Sequence, residues 1–208
     1  MTSEGVTLSD ELVGVLALQG DFAEHEQALR RSGLRTRQIR RARDFEGLAG
    51  LVLPGGESTT MLRLLGLEEL EAPLDEALRS GIPTLATCAG LILLAAEVTE
   101  PEQRSLGLLD IAVARNGYGR QVHSGTHPIE GDGVPAGTTG VFIRAPRVTR
   151  CGPTVEVLAR RGDDPVLVRR GPILGACFHP ELQLEHPVTS MFVDTVRRAA
   201  AAAPGEVG

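Results

Sequence analysis

The sequence contains no lysine: all 21 of its basic residues are arginine. The chain therefore cannot form a lysine Schiff base, and any imine chemistry tied to its activity must occur on another subunit. Positive charge is not in excess either. The formal net charge is −6, so neither nucleic acid nor an anionic membrane is an expected partner. Long apolar runs are missing. The longest, Ala89 to Ala96, is far too short to span a bilayer. The stretch from Met1 to Glu11 is acidic and polar, so no secretory signal is expected there. Cysteine is scarce, with only Cys88, Cys151 and Cys177. Three scattered thiols do not make a disulfide framework, and a cytoplasmic protein with reduced cysteines is expected.

What is present is an alternation of apolar runs and amphipathic segments. Leu12 to Leu18 has the form of a buried parallel strand. Gln19-Gly20-Asp21 ends it, and Asp21 is placed to N-cap a helix over Phe22 to Arg31, closed by Gly33. Further strands are predicted at Arg35 to Arg40, Gly50 to Leu53 and Pro83 to Thr87, with helices at Thr59 to Leu65 and Leu67 to Ser80. In the second of these, Leu67, Leu70, Leu74, Ala77 and Leu78 form an apolar stripe. This pattern predicts an α/β fold with a mainly parallel sheet. After about Gly107 the texture changes to strand-like pieces broken by glycine and proline: Leu108 to Ala114, Gln121 to Ile129, Thr139 to Ile143, Thr154 to Ala159, Val166 to Val168 and Ile173 to Phe178. Antiparallel strands extending or flanking the sheet are expected here. A last helix, Val188 to Ala200, precedes a small-residue tail. With no repeat and no linker, a single domain over residues 1–208 is expected, with 1–11 and 201–208 as frayed termini.

Cys88 lies between the strand-like Pro83 to Thr87 and the helix-like Ala89 to Leu94. A small-residue strand-to-helix corner lifts a nucleophile above a sheet, and a helix start favours thiolate. A buried, inert cysteine is the competing reading. Phe178-His179-Pro180-Glu181 lies far downstream. If extended, it points His179 and Glu181 to one side, so that the carboxylate can fix the imidazole tautomer; a solvated turn is the alternative. Thiol, imidazole and carboxylate together are the composition of a nucleophilic triad. His-Pro-Glu also fits the H-x-E of zinc deaminases, but the P-C-x-x-C that would hold the metal is missing, and no metal is expected. Pro54-Gly55-Gly56-Glu57-Ser58-Thr59 lacks the P-loop and dinucleotide spacings. It reads as an oxyanion-hole loop, or as a tight turn with Ser58 or Thr59 capping a helix. Arginines in Arg115 to Gln121 and in Phe142 to Pro146 could clamp a carboxylate or belong to solvated loops. Cys151 and Cys177 read as structural, and nothing marks His25, His123, His127 or His186 as a ligand.

Together these segments resemble the class I, triad-type glutamine amidotransferases, and more closely the glutaminase subunits of the two-component pyridoxal 5′-phosphate synthases. The resemblance runs from Val13 to about Val193. It is carried by Leu16-Ala17-Leu18-Gln19-Gly20-Asp21-Phe22, Leu53 to Thr59, Thr87 to Leu94, Gly119-Arg120-Gln121, Val141 to Pro146 and Phe178 to Leu182. It implies a three-layer α/β/α sandwich. It implies Cys88 as nucleophile, His179 as general base and acid, and Glu181 as its orienting carboxylate. Gly56, Glu57, Ser58, Arg115, Ile143 and Arg144 would bind L-glutamine, and Gly56 and Ala89 would serve the oxyanion. No cofactor is implied. The implied partner is a lysine-bearing synthase subunit that accepts the ammonia, docks near Gln19 to Arg31 and triggers a flip of the Gly55–Gly56 peptide. Service to another synthase, such as that for imidazole glycerol phosphate, or a non-catalytic regulatory role, are the alternatives. Departures from the family pattern are Ala86 where glycine is usual, Cys177, Gln183 and Gly117-Tyr118; of these, Ala86 is expected to crowd the elbow.

Overall fold

The computed structural model describes residues 10–118 and 124–202. Four apolar runs form the centre of its main sheet: β1 (Leu12–Leu16), β3 (Gly50–Leu53), β4 (Thr84–Thr87) and β12 (Ile173–Ala176). Beyond Leu12 every residue in them is buried, as expected of strands covered on both faces. The sheet has seven strands in the order β10-β11-β12-β4-β3-β1-β2, where β2 is Arg35–Ile39, β10 is Glu156–Arg161 and β11 is Asp164–Arg170. The five strands from β12 to β2 run parallel, while β10 and β11 add an antiparallel edge. The more polar strands, β2 and β10, stand at the edges.

Helices cover the sheet. α1 (Phe22–Arg31) touches α5 (Pro187–Ala202), and α2 (Ser58–Leu67) touches α4 (Ala89–Leu94). The sheet's glycines make room for them. A methyl on Gly50 would lie 2.7 Å from Val196 of α5, and one on Gly175 would lie 2.5 Å from Leu91 of α4. α3 (Glu71–Arg79) follows α2 after a residue of positive φ, Glu69. Two small sheets complete the fold: β5 (Ala95–Thr99), β6 (Leu109–Ala114) and β9 (Arg147–Cys151), and the antiparallel pair β7 (Gly125–Pro128) and β8 (Thr139–Phe142). The parallel core with antiparallel additions agrees with the architecture read from the sequence. No helix among the described residues is long and apolar enough to cross a membrane.

The differences are local. Leu67 ends α2 and is 65% exposed instead of opening the α3 stripe, which Leu70, Leu74 and Leu78 carry. β5 and β9 were not predicted. β5 directly continues the apolar α4, and β9 is an arginine-bearing strand with little burial contrast. α5 runs on through Ala202, inside the segment expected to fray. Residues 1–9 and 203–208, His123, the Gly119-Arg120-Gln121 block and the start of the predicted Gln121–Ile129 strand lie outside the described residues.

The topology decides where chemistry can occur. The loops leaving β1, β3, β4 and β12 all emerge at the carboxyl edge of neighbouring parallel strands, where a crevice is expected. They carry Gln19 to Asp21, Pro54 to Glu57, Cys88 and His179.

Candidate active site

Cys88 sits in a strained backbone conformation, φ 46° and ψ −102°, between β4 and α4. A side chain at such a φ costs on the order of 1–3 kcal/mol and persists only where neighbours fix it. Here Cys88 N donates to Ala176 O at 2.8 Å, Ile92 N donates to Cys88 O at 3.2 Å, and Gly90 N donates to Pro54 O at 3.1 Å. A methyl on Gly90 would lie 2.1 Å from Leu53 O, so only glycine lets the helix start this close to β3. The predicted elbow is therefore present. Ala86 is buried within β4, two residues before the elbow. The helix that follows has only six residues, so what it brings to Cys88 is chiefly local N–H groups. As the first residue of α4, Ala89 has an N–H outside the helix's own hydrogen-bond ladder.

His179 follows β12, and its own N–H donates to Val141 O of β8 at 2.9 Å. The segment after it is not extended, as the sequence suggested. Pro180–Leu182 is a 3-10 turn with Pro180 at its start, a position that suits the fixed φ of proline. The turn folds Glu181 back so that its Oε1 lies 2.8 Å from His179 Nδ1. With Nδ1 committed, the other ring nitrogen is left for Cys88, which lines the same cavity and whose sulfur helps raise the imidazole pKa. Cys88, His179 and Glu181 are all buried.

A second carboxylate reaches the same imidazole. Asp21 occupies the N-cap position of α1 as predicted, but its side chain makes no capping bond. Its Oδ2 lies 3.2 Å from His179 Nδ1 instead. Burial works against a charged His179, but the Asp21 carboxylate, the Cys88 sulfur and the Glu181 carboxylate beside it outweigh that, and its pKa is pushed up to about 12. The hydrogen bond to His179 correspondingly lowers the pKa of Asp21. This is the electrostatic setting of an imidazolium beside the Cys88 sulfur. Asp21, His179 and Glu181 also bring one potential ligand atom each to within 4.8 Å of one another. Their hydrogen bonds through a single nitrogen account for that closeness, and a cation would have to displace the Glu181 contact.

A cavity of about 330 Å³ opens above Cys88 and His179. Gly56, Glu57, Ser58, Arg115, Ile143 and Arg144, all predicted from the sequence, line it, together with Gln19, Gly20, Asp21, Ile92 and Asn116. Ala89 does not line it and stays buried behind Cys88. Larger hollows exist, including one of about 630 Å³ along the outer face of α1, but they hold neither Cys88 nor His179.

Glu57 differs from expectation. It, and not Ser58 or Thr59, is the N-cap of α2, accepting from Thr59 N at 3.2 Å and Thr60 N at 2.7 Å. It also holds Arg115, whose Nη2 is 2.9 Å away. Its own N–H donates to Gln19 Oε1 at 2.7 Å. Glu57 thus builds the rim and fixes Arg115. Ser58 donates to Gln103 Oε1 at 2.8 Å. Among the described residues the Arg144 side chain makes no ion pair, and its backbone adopts φ 45°. Cys177 is fully buried, which pushes its thiol pKa up, in keeping with a structural role.

Residues 15–198 match the sequence profile of the SNO glutamine amidotransferase family. The chain belongs to this family. Its relatives include the pyridoxal 5′-phosphate synthase subunit PdxT of Mycobacteroides abscessus, 50% identical over 188 residues that cover 89% of this chain and 97% of the relative. The protein of that name from Thermus thermophilus is 51% identical over 173 residues, covering 82% and 90%. A solved glutamine amidotransferase superposes with a TM-score of 0.82 at 45% identity, covering 89% of this chain and 98% of the other. A putative GMP synthase subunit from Thermoplasma acidophilum, at 19% identity and a TM-score of 0.67 over 92% and 94%, shares the fold.

Sequence reasoning missed Asp21, read only as a helix cap, and His25, read as unremarkable. Both are buried or half-buried on the first turns of α1, four residues apart. The one available signal was a histidine on the apolar side of that helix, in line with Ala28 and Leu29.

Proposed function

We propose that this chain is the glutaminase subunit of a two-subunit pyridoxal 5′-phosphate synthase, hydrolysing L-glutamine to glutamate and passing the ammonia to the synthase subunit. Cys88 and His179 lining one cavity, with Glu181 hydrogen-bonded to His179 Nδ1 behind them, carry this reading. The Cys88 thiolate attacks the side-chain amide carbon of glutamine. The resulting tetrahedral oxyanion is stabilised by backbone N–H groups at Gly56 and Ala89. His179 gives its proton to the departing nitrogen, which leaves as ammonia, and a glutamyl thioester remains. A water molecule, losing its proton to His179, then attacks the thioester carbon; glutamate departs and the thiolate is restored. Glu181 keeps the imidazole in the tautomer both steps require.

Arg144 supplies the cation for the glutamine α-carboxylate, since Arg115 is already tied to Glu57. Arg144→Ala is expected to raise KM for glutamine about tenfold or more while changing kcat little; an unchanged KM removes Arg144 from substrate binding. In the observed state Gly55 O accepts from Asp21 N at 3.1 Å. A flip of the Gly55–Gly56 peptide on docking breaks that bond and frees the peptide to complete the oxyanion hole. The free cysteines fit a reducing, cytoplasmic setting.

The deciding experiment supplies ribose 5-phosphate and glyceraldehyde 3-phosphate to the cognate synthase subunit, with this chain and glutamine as the only nitrogen source. Pyridoxal phosphate and glutamate should appear together. A synthase that works with ammonium salt yet gains nothing from this chain and glutamine would refute the assignment.

A further inference from the structure

Behind Glu181 lies a group that the reaction above does not use. The Glu181 side chain is fully buried, and while Oε1 meets His179, Oε2 has no well-aligned hydrogen-bond donor. Nε2 of His25 lies 3.3 Å from it. That same nitrogen lies 3.0 Å from Thr87 Oγ1, the side chain immediately before Cys88. Position 25 is itself buried. One imidazole on α1 therefore touches both the carboxylate behind His179 and the residue that leads into the elbow.

The chemistry selects a tautomer. If Nε2 carried its lone pair, that lone pair would face a carboxylate oxygen at 3.3 Å, and Oε2 would be left buried without this N–H, which is costly for a charged group. If Nε2 carries the proton, its N–H donates to Thr87 Oγ1 and sets its positive end beside Glu181 Oε2 at 3.3 Å. The groups whose charges reach His25 are Glu181, His179, Asp21 and Glu24. Burial outweighs the pull of the carboxylates and lowers its pKa, so the ring is neutral. Besides His25 and His179, the Glu181 charge also acts on His186, whose Nε2 is taken by Thr139 O at 2.9 Å.

We propose that His25 is a positioning residue for glutamine hydrolysis: its neutral Nε2–H ties Glu181 to Thr87, and so holds His179 in register with Cys88. The inference rests on the glutaminase reading and adds a fourth residue to Cys88, His179 and Glu181. Without this donor a buried carboxylate oxygen is orphaned. The carboxylate is then no longer held against His179 Nδ1 and supports the imidazolium less.

Two measurements test this. In the wild-type protein, nitrogen NMR of the histidine rings should show His25 as the neutral Nε2–H tautomer, without titration between about pH 6 and 8. A proton on Nδ1 instead overturns the proposal, and this readout needs no turnover, so it is independent of the glutaminase assignment. In the second, glutaminase activity of the complete complex is followed against pH for His25→Leu and His25→Gln. His25→Leu should lower kcat about 10- to 100-fold, as outer-shell partners of active groups do, move KM less than about threefold, and shift the acidic limb of the profile to higher pH. His25→Gln, which returns an N–H donor near the same place, should recover most of kcat and the position of the limb. A uniform loss with the acidic limb unmoved, or equal defects in both variants, would show His25 to be packing alone. Should His25→Leu fail to fold, the tautomer and the His25→Gln profile still decide the matter. A wild-type complex with no glutaminase activity would instead strike the underlying assignment.

Discussion

Cys88→Ala abolishes glutamine hydrolysis while leaving pyridoxal phosphate formation from added ammonium salt intact: this is the expected result with the largest effect. The loss should reach at least about 10⁴-fold, the scale seen when one member of a unit acting as nucleophile and base is removed. Neither of the other two cysteines can substitute. Cys177 is wholly buried with its thiol pKa raised, and Cys151 lines a separate hollow by Arg147 and Asp163. The ammonium arm isolates the defect, because the synthase subunit then needs no glutaminase. If Cys88→Ala retained glutamine-dependent ammonia release, the thioester route would be wrong. A companion variant reads the elbow itself. At φ 46° alanine keeps the backbone strain and glycine relieves it. Cys88→Gly should therefore unfold at a higher temperature than Cys88→Ala, with about 1 kcal/mol or more between them. The reverse order would mean that the hydrogen bonds around the turn impose no strain.

Much of this site was legible in the sequence because its signals are local. An apolar strand, a small-residue corner and an apolar helix place Cys88, and the parallel sheet carries the loop of Gly55 to Glu57 beside it. Each of these is a periodicity or a composition within about ten residues. The boundaries of α1 and β3 were legible for the same reason. What could not be read is long-range. Asp21 makes a good helix cap by residue type, yet its carboxylate serves an imidazole 158 positions away. His25 looks like any helical histidine until β4 and the turn after His179 are laid against it. Glu57 reads as a substrate contact, and nothing in the sequence shows that its carboxylate also caps α2 and holds Arg115. In each case a polar side chain had several possible partners, and packing chose among them. The extended reading of His179 to Glu181 failed differently: Pro180 favours a turn over a strand, and the turn gives the shorter path from carboxylate to ring.

The second large effect comes from a single methyl group. Gly55→Ala is expected to lower kcat for glutamine about 100-fold or more without unfolding the protein. A Cβ built at this position would lie 2.4 Å from His179 Cε1, 2.9 Å from Nδ1 and 3.2 Å from Asp21 Oδ2. The first two distances are shorter than real side-chain contacts allow, so either the loop or the imidazole must move. The loop resists, because Gly55 O is tied to Asp21 N and a neighbouring methyl on Gly20 would itself meet Gly55 O at 1.7 Å. The imidazole is held by Glu181 and Asp21 but faces an open cavity on the Cys88 side. The ring is therefore the part that yields, and a displacement of about 1 Å in a catalytic group can cost on the order of 100-fold. KM should change less than kcat, since Arg144 lies on the opposite loop after β8. The variant also discriminates between two uses of the same glycine. If Gly55 matters only as a hinge for the peptide flip, Gly55→Ala should fail to respond to the synthase subunit yet keep the basal rate of the free chain. If the methyl strikes His179, the free chain and the complex should lose activity by the same factor, and alkylation of Cys88 by iodoacetamide should slow as well, because a displaced imidazolium no longer supports the thiolate. Unchanged basal turnover together with unchanged alkylation would show that the ring, and not only the loop, tolerates the added group.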